Sequence, residues 1–228
     1  SMGELTRLQR KREKTRSALL NAAHGLVCER GHGKISIQDL TDRADVGVGT
    51  FYNYFESKQH VYEAVLEEIR FSFNQQLTEL RKPIKDPATI LTVTLLYSFQ
   101  QAQDNEDWRT FLTYSGLGSD HILHQDEEQC LSDIRFGAQR GRFKVDNVQF
   151  TSSLIIGMVR HVSREITLGN LSRNSMQETT RYILRMLGLP DLVAKALVQT
   201  PLPPIPASKK SNEIENQADL SKMKGFRS

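Results

Sequence analysis

An all-α fold is what this sequence predicts, on three observations. Apolar residues recur at helical spacing in nearly every segment, caps and stops punctuate those segments, and no stretch alternates as a half-buried strand would. The punctuation divides the chain into nine expected helices with no internal repeat.

Each helix has its own warrant. The first starts at Leu5 or Lys14 and runs to Arg30, with Ala18, Leu19, Ala22, Ala23, Leu26 and Val27 as its apolar stripe and Gly31 as its stop. Ser36 caps a short helix to about Ala44, with Asp39 in the capping-box position. Asp45-Val46-Gly47 makes a turn, and a second short helix runs from Val48 to about Phe55. Ser57 caps a long helix from Lys58 to Arg81, closed by Pro83. Asp86-Pro87 pairs a cap with a first-turn proline and opens a helix to about Gln103. Asn105 caps the helix that holds Trp108, Phe111 and Leu112. Ser119-Asp120 opens one running to Arg140, ended by Gly141. Asp146-Asn147 caps Val148 to Leu168, and Ser175 with Glu178 forms a capping box for a last helix that stops at Gly188, before Pro190.

Composition narrows the function. Among 228 residues no apolar run approaches 18, so no membrane span is expected. The charged N-terminal stretch is not followed by an apolar segment, so no secretion leader is expected, and Ser1-Met2 reads as a cleavage scar. Cys28 and Cys130 lack the spacing of a metal or redox motif and are expected reduced and buried, in a cytoplasmic protein. Residues 1–58 carry ten Lys/Arg against seven Asp/Glu, whereas residues 59–200 carry fifteen against seventeen. The excess concentrates in Arg7, Arg10, Lys11, Arg12, Lys14 and Arg16, a cluster that can meet a phosphate backbone.

Two short helices joined by a three-residue turn and packed on a longer one form a helix-turn-helix pattern. The string GVGTFYNYFESK, Gly47 to Lys58, adds chemistry to it. Phe51 and Phe55 stand four apart and can anchor a core, while Thr50, Tyr52, Asn53 and Tyr54 supply polar groups around the same helix. Such a face, followed by Lys58, suits phosphate oxygens, and Gly47 and Gly49 let backbone come close to a partner.

These residues resemble the TetR family of regulators, whose signature reads approximately Ala-Gly-Val-Ser-x-Gly-Thr-x-Tyr-x-Tyr-Phe-x-Ser-Lys. Here it stands as Ala44 to Lys58, and the resemblance extends over about residues 14–66, through KTRSALLNAAHGLVCERG and SIQDLTDRADV. Asp45 replaces the usual turn glycine, which Asp tolerates. Gly47 replaces the usual capping Ser and is weaker by a few tenths of a kcal/mol (roughly).

The resemblance implies a three-helix DNA-binding domain over residues 1–58 and a six-helix effector-binding and dimerising domain over 59–199. Residues 200–228, rich in Pro, Ser, Asn and charge, are expected to form a flexible polar tail. By the same resemblance Ser36, Thr50, Tyr54 and Lys58 grip phosphates, and Val48, Gly49, Tyr52 and Asn53 face the major groove. Arg10, Lys11, Arg12 and Lys14 would form either an arm along the minor groove or a solvated one. Two copies are needed to read a palindromic operator, with half-sites roughly 34–36 Å apart. The last two long helices would join the copies through Phe150, Leu154, Gly157, Met158, Met176, Ile183 and Leu187.

Phe73, Leu77, Tyr97, Phe99, Trp108, Phe111 and Tyr114 are the candidate lining of an effector pocket, suited to a small apolar or aromatic molecule. His121 and His124 have helical metal spacing beside Asp126, Glu127 and Glu128, but no metal or other cofactor is expected. No nucleophile–base pair, phosphate loop or carboxylate pair points to an enzyme. The expected function is a homodimeric repressor released from double-stranded DNA by an effector. The alternative is an activator or architectural protein of the same family without one.

Overall fold

A computed structural model describes residues 6–31, 35–114 and 126–205, and these form ten α-helices and no strand. α1 is Arg7–Arg30, α2 Ile37–Ala44, α3 Val48–Tyr52, α4 Lys58–Arg81 and α5 Pro87–Asp104. α6 is Glu106–Tyr114, α7 Asp126–Gln139, α8 Val148–Thr167, α9 Ser175–Met186 and α10 Asp191–Gln199. The expected start of the seventh helix at Ser119-Asp120, and His121 and His124 with it, lie outside the described residues.

Local chemistry sets most boundaries. Thr6 and Gln9 form a reciprocal capping box that starts α1 at Arg7, and Gly31 ends it at φ 67°. Ser57 accepts from the His60 N–H, Asp86 from the Ala88 and Thr89 N–H groups, Asn105 from Trp108 and Asn147 from Phe150. Each satisfies donors that a helix start leaves open.

Three core clusters follow. The first packs Leu19, Leu26, Leu40, Phe51, Phe55, Val61 and Leu66 with Trp108 and Phe111. The core of the helix-turn-helix thus takes in the first turns of α4 and closes over α6. The second packs α5, α7, α8, α9 and α10 around Leu91, Phe99, Ile134, Ile155 and Ile183. The third is smaller: Leu77 and Leu80 of α4 meet Val93 and Tyr97 of α5, with Leu202 and Ile205 laid against them. The segment read as tail from Thr200 therefore begins with two packed side chains.

Four expectations are corrected. A tenth helix, Asp191–Gln199, follows Pro190, which acts as a start and not a stop; its Ala194 and Val198 are buried. α3 ends at Tyr52 and not Phe55, because the Asn53 and Tyr54 amides donate three residues back to Thr50 and Phe51 and tighten the chain into a turn. Ser175 and Glu178 form no capping box: Asn174 already has helical angles, so Ser175 lies inside the helix and is buried. Cys28 is exposed, whereas Cys130 is buried as expected.

The expected dimer residues divide by helix face. Phe150 and Leu154 are exposed on α8, a Cβ on Gly157 would meet nothing within 4 Å, and Met158 is partly buried. Met176, Ile183 and Leu187, in contrast, are buried within the protomer's own core. The large apolar side chains that α9 turns outward are Tyr182 and Met186. Both sets fall on a helical period, and only packing decides which faces inward.

Candidate nucleic-acid interface and effector cavity

The turn before α3 rests on one strained residue. Asp45 sits in the left-handed region at φ 56°, the only non-glycine among the described residues to do so, and the Val46 N–H closes the turn on the Thr41 carbonyl at 3.0 Å. Gly47 then precedes α3 without any side-chain cap. A Cβ there would meet only Thr50 Oγ1, at 3.8 Å, so space does not require the glycine.

On α3 adjacent residues take opposite environments. Phe51 is 0 % exposed, with its ring centroid 5.9 Å from that of Phe55, while Tyr52 is 55 % and Val48 38 % exposed. Gly49 and Asn53 are exposed as well, Thr50 is half-buried, and Tyr54 packs against the first core cluster with its side chain half-covered. The two phenylalanines hold the short helix down, and the expected base-reading side chains stand away from the core.

Ser36 and Lys58, distant in sequence, meet at one edge of this surface. Lys58 Nζ donates to the Ile35 carbonyl at 2.8 Å, the residue before Ser36. Ser36 Oγ accepts from the Asp39 N–H at 3.0 Å, and Asp39 accepts the Ser36 N–H at 2.9 Å. The bonds with Ser36, then Arg30, hold the Asp39 carboxyl below its usual range. Sequence reasoning missed the tether between Lys58 and Ile35, because a lysine's partner across a fold leaves no spacing signal.

The basic N-terminal residues form the first two turns of α1 and no extended arm. A helix about 10–12 Å wide does not enter a minor groove about 6 Å wide, so the expected minor-groove arm is corrected for Arg10, Lys11, Arg12 and Lys14. Arg7, Arg10, Lys11 and Lys14 instead share one exposed helix face. Arg16 lies over the Phe55 ring, 5.5 Å from its centroid.

The expected effector residues do not come together. Trp108 and Phe111 belong to the first core, Phe99 to the second, and Phe73 and Tyr97 to the third. The side chain of Tyr114 lies outside the described residues. Of the set, Leu77 alone lines a cavity of about 260 Å³ between α4, α5, α7 and α8. Leu91, Leu95, Ile156 and Val159 give it apolar walls, and Arg81, Thr94, Gln129 and Asp133 a polar end. Aromatic content misled the sequence reading, since large rings fill cores as readily as they line pockets. The Arg81–Asp133 pair had no signal, its members lying on different helices.

Among the described residues no group of His, Cys, Asp and Glu could hold a metal ion, and no helix is long and apolar enough to cross a membrane.

Comparison with known proteins bears on both regions. Residues 19–65, the first core without α6, match the family model described as bacterial regulatory proteins, tetR family. The chain is 31 % identical over 109 residues to an uncharacterized HTH-type transcriptional regulator, YvdT, of Bacillus subtilis, covering 48 % of this chain and 56 % of that protein. It is 38 % identical over 66 residues to the HTH-type transcriptional repressor NemR of Escherichia coli, covering 29 % of this chain and 33 % of that protein. The matched part thus spans about half of the first relative and a third of the second. The crystal structure of RolR in complex with resorcinol superposes with a TM-score of 0.69 at 26 % identity, over 86 % of this chain and 99 % of that one. The signature lies on an exposed helix and the family model falls on the domain that carries it, so residues 19–65 form a domain of the tetR family of bacterial regulatory proteins, and the chain as a whole is similar to RolR in its helical layout.

Proposed function

We propose that the protein is a homodimeric, cytoplasmic repressor that binds a palindromic operator and is released by a small molecule held in the cavity between α4, α5, α7 and α8. The observation that carries the DNA-binding part is the division of α3, with Phe51 sealed in the core and Val48, Tyr52 and Asn53 outside it. In this reading Val48, Gly49, Tyr52 and Asn53 face base edges, while Ser36, Thr50, Tyr54 and Lys58 meet phosphates. The repressor names of relatives such as NemR support the sign of regulation. The resorcinol in RolR supports a small aromatic effector.

α4 supplies the connection. Its first turns lie in the DNA-binding core, and its last turns, through Leu77 and Arg81, line the cavity. An effector that binds one position of α4 better than another changes operator affinity by that difference. The copies would join through the outward faces of α8 and α9: Phe150, Leu154, Gly157 and Met158 with Tyr182 and Met186.

Two measurements test this. Fluorescence anisotropy against DNA flanking the protein's own gene is expected to find a salt-dependent site that resists competitor. Tyr52→Ala should relax sequence preference at one position by about 1–3 kcal/mol, and Lys58→Ala should weaken all sequences and reduce the salt slope by about one. An unchanged slope with lowered stability would leave Lys58 only its tether to Ile35. Secondly, Leu154→Arg is expected to give a monomer in sedimentation velocity, with operator affinity reduced at least tenfold. A dimer that survives the change would move the interface elsewhere.

A further inference from the structure

We propose that this cavity is shaped for a small uncharged molecule of about one ring that carries a hydroxyl, and that Asp133 and Arg81 recognise that hydroxyl. The inference rests on reading the cavity as the effector site.

Size comes first. A cavity of about 150 Å³ accepts benzene, and drug-sized pockets start near about 300 Å³. About 260 Å³ holds one ring with substituents.

Hydrogen-bond capacity comes second. Asp133 Oδ1 accepts from Arg81 Nη2 at 2.6 Å and from Gln129 Nε2 at 3.0 Å, and Oδ2 accepts from Arg81 Nη1 at 2.8 Å. A carboxylate offers about four lone-pair sites, so among the described residues one acceptor position stays open on Oδ2. Arg81 Nη1 gives its second hydrogen to Thr94 Oγ1 at 2.6 Å, while among the described residues nothing takes the remaining N–H of Nη2 or that of Nε. A group that donates and accepts at once matches what is left, and a hydroxyl is the smallest such group.

Charge comes third. The lining holds two arginines, Arg70 and Arg81, against two carboxylates, Glu128 and Asp133, so it presents no net charge to a ligand. Arg70 is already engaged and Arg81 is bound two-fold to Asp133. A ligand carboxylate would therefore enter beside the Asp133 carboxylate, whose charge Arg81 already balances, and would turn a balanced lining into one with an excess negative charge. An ether of the same size would leave the Asp133 acceptor site unmet.

Calorimetry on the full chain with phenol, anisole and benzoate separates these cases. Phenol is expected to bind at least tenfold tighter than either of the others. Asp133→Asn, and separately Arg81→Lys, should cut that preference at least tenfold. Benzoate binding best, phenol and anisole binding alike, no probe binding, or an unchanged preference in Asp133→Asn would each overturn the proposal. If the variants do not fold, the order of the three probes on the unaltered chain decides. Operator release is measured in parallel with the same probes. Phenol that binds selectively yet leaves DNA bound overturns the effector reading and leaves the ligand class standing.

Discussion

Phe51→Ala is expected to unfold the helix-turn-helix and abolish operator binding, at a cost of about 3–5 kcal/mol. Phe51 is fully buried in the first cluster, where it meets Phe55 and holds a helix of five residues. So short a helix has no stability of its own, since nucleating it fixes more backbone than its hydrogen bonds return. Its position therefore depends on this ring. Tyr52→Ala, one residue on, removes an exposed side chain and should change stability by less than about 1 kcal/mol. Urea denaturation of the two variants, beside their anisotropy titrations, makes the contrast. A loss below about 1 kcal/mol in Phe51→Ala would mean that α3 is anchored by something else.

Asp133→Ala is expected to destabilise the helical domain by about 3 kcal/mol, near the lower end for breaking a buried pair. The Arg81 and Asp133 side chains are 17 % and 7 % exposed, and the alanine leaves the guanidinium with Thr94 but no counter-charge. The partial exposure of Arg81 keeps the figure at that lower end. The double change Arg81→Met with Asp133→Leu should recover most of the loss, because two apolar side chains leave no uncompensated charge. Thermal melts check both: a drop of roughly 6–12 °C is expected for the single variant and far less for the pair. A double variant as unstable as the single one would show that the pair's packing matters more than its charges. In that event the joint it makes between α4 and α7 would remain, but its polarity would not be what holds it.

The parts legible in the sequence are those that neighbours along the chain decide. Ser36 with Asp39, Asp86 with Pro87, and Asn147 announce helix starts through bonds that reach two or three residues, and all three form as read. Ser175 misled because the same residue types serve as caps only where their own backbone is still extended, and Ser175 already lies within the helix. Pro190 misled for a related reason, since a proline that ends one helix is equally suited to open the next.

Faces were harder than elements. α9 carries Met176, Ile183 and Leu187 on one side and Tyr182 and Met186 on the other, and both sets are apolar. A periodic pattern states that a helix has an inside, but two apolar sides leave the choice to its neighbours. The candidate pocket residues divide on the same ground: Phe73, Tyr97, Phe99, Trp108 and Phe111 pack into cores without lining the cavity, and the side chain of Tyr114 lies outside the described residues.

By itself, then, the sequence determined that the described residues are helical, where most of the helices begin and end, and which family its Ala44–Lys58 strip resembles. Those properties rest on bonds and spacings local to a few residues. The tertiary structure alone decided that Lys58 reaches Ile35, that Arg81 meets Asp133 across α4 and α7, and that a balanced, polar-ended cavity lies beside them. It also decided that Leu202 and Ile205 pack on α4 and α5. Each of these joins side chains from separate elements, and their meeting depends on how whole helices pack, which no local spacing encodes.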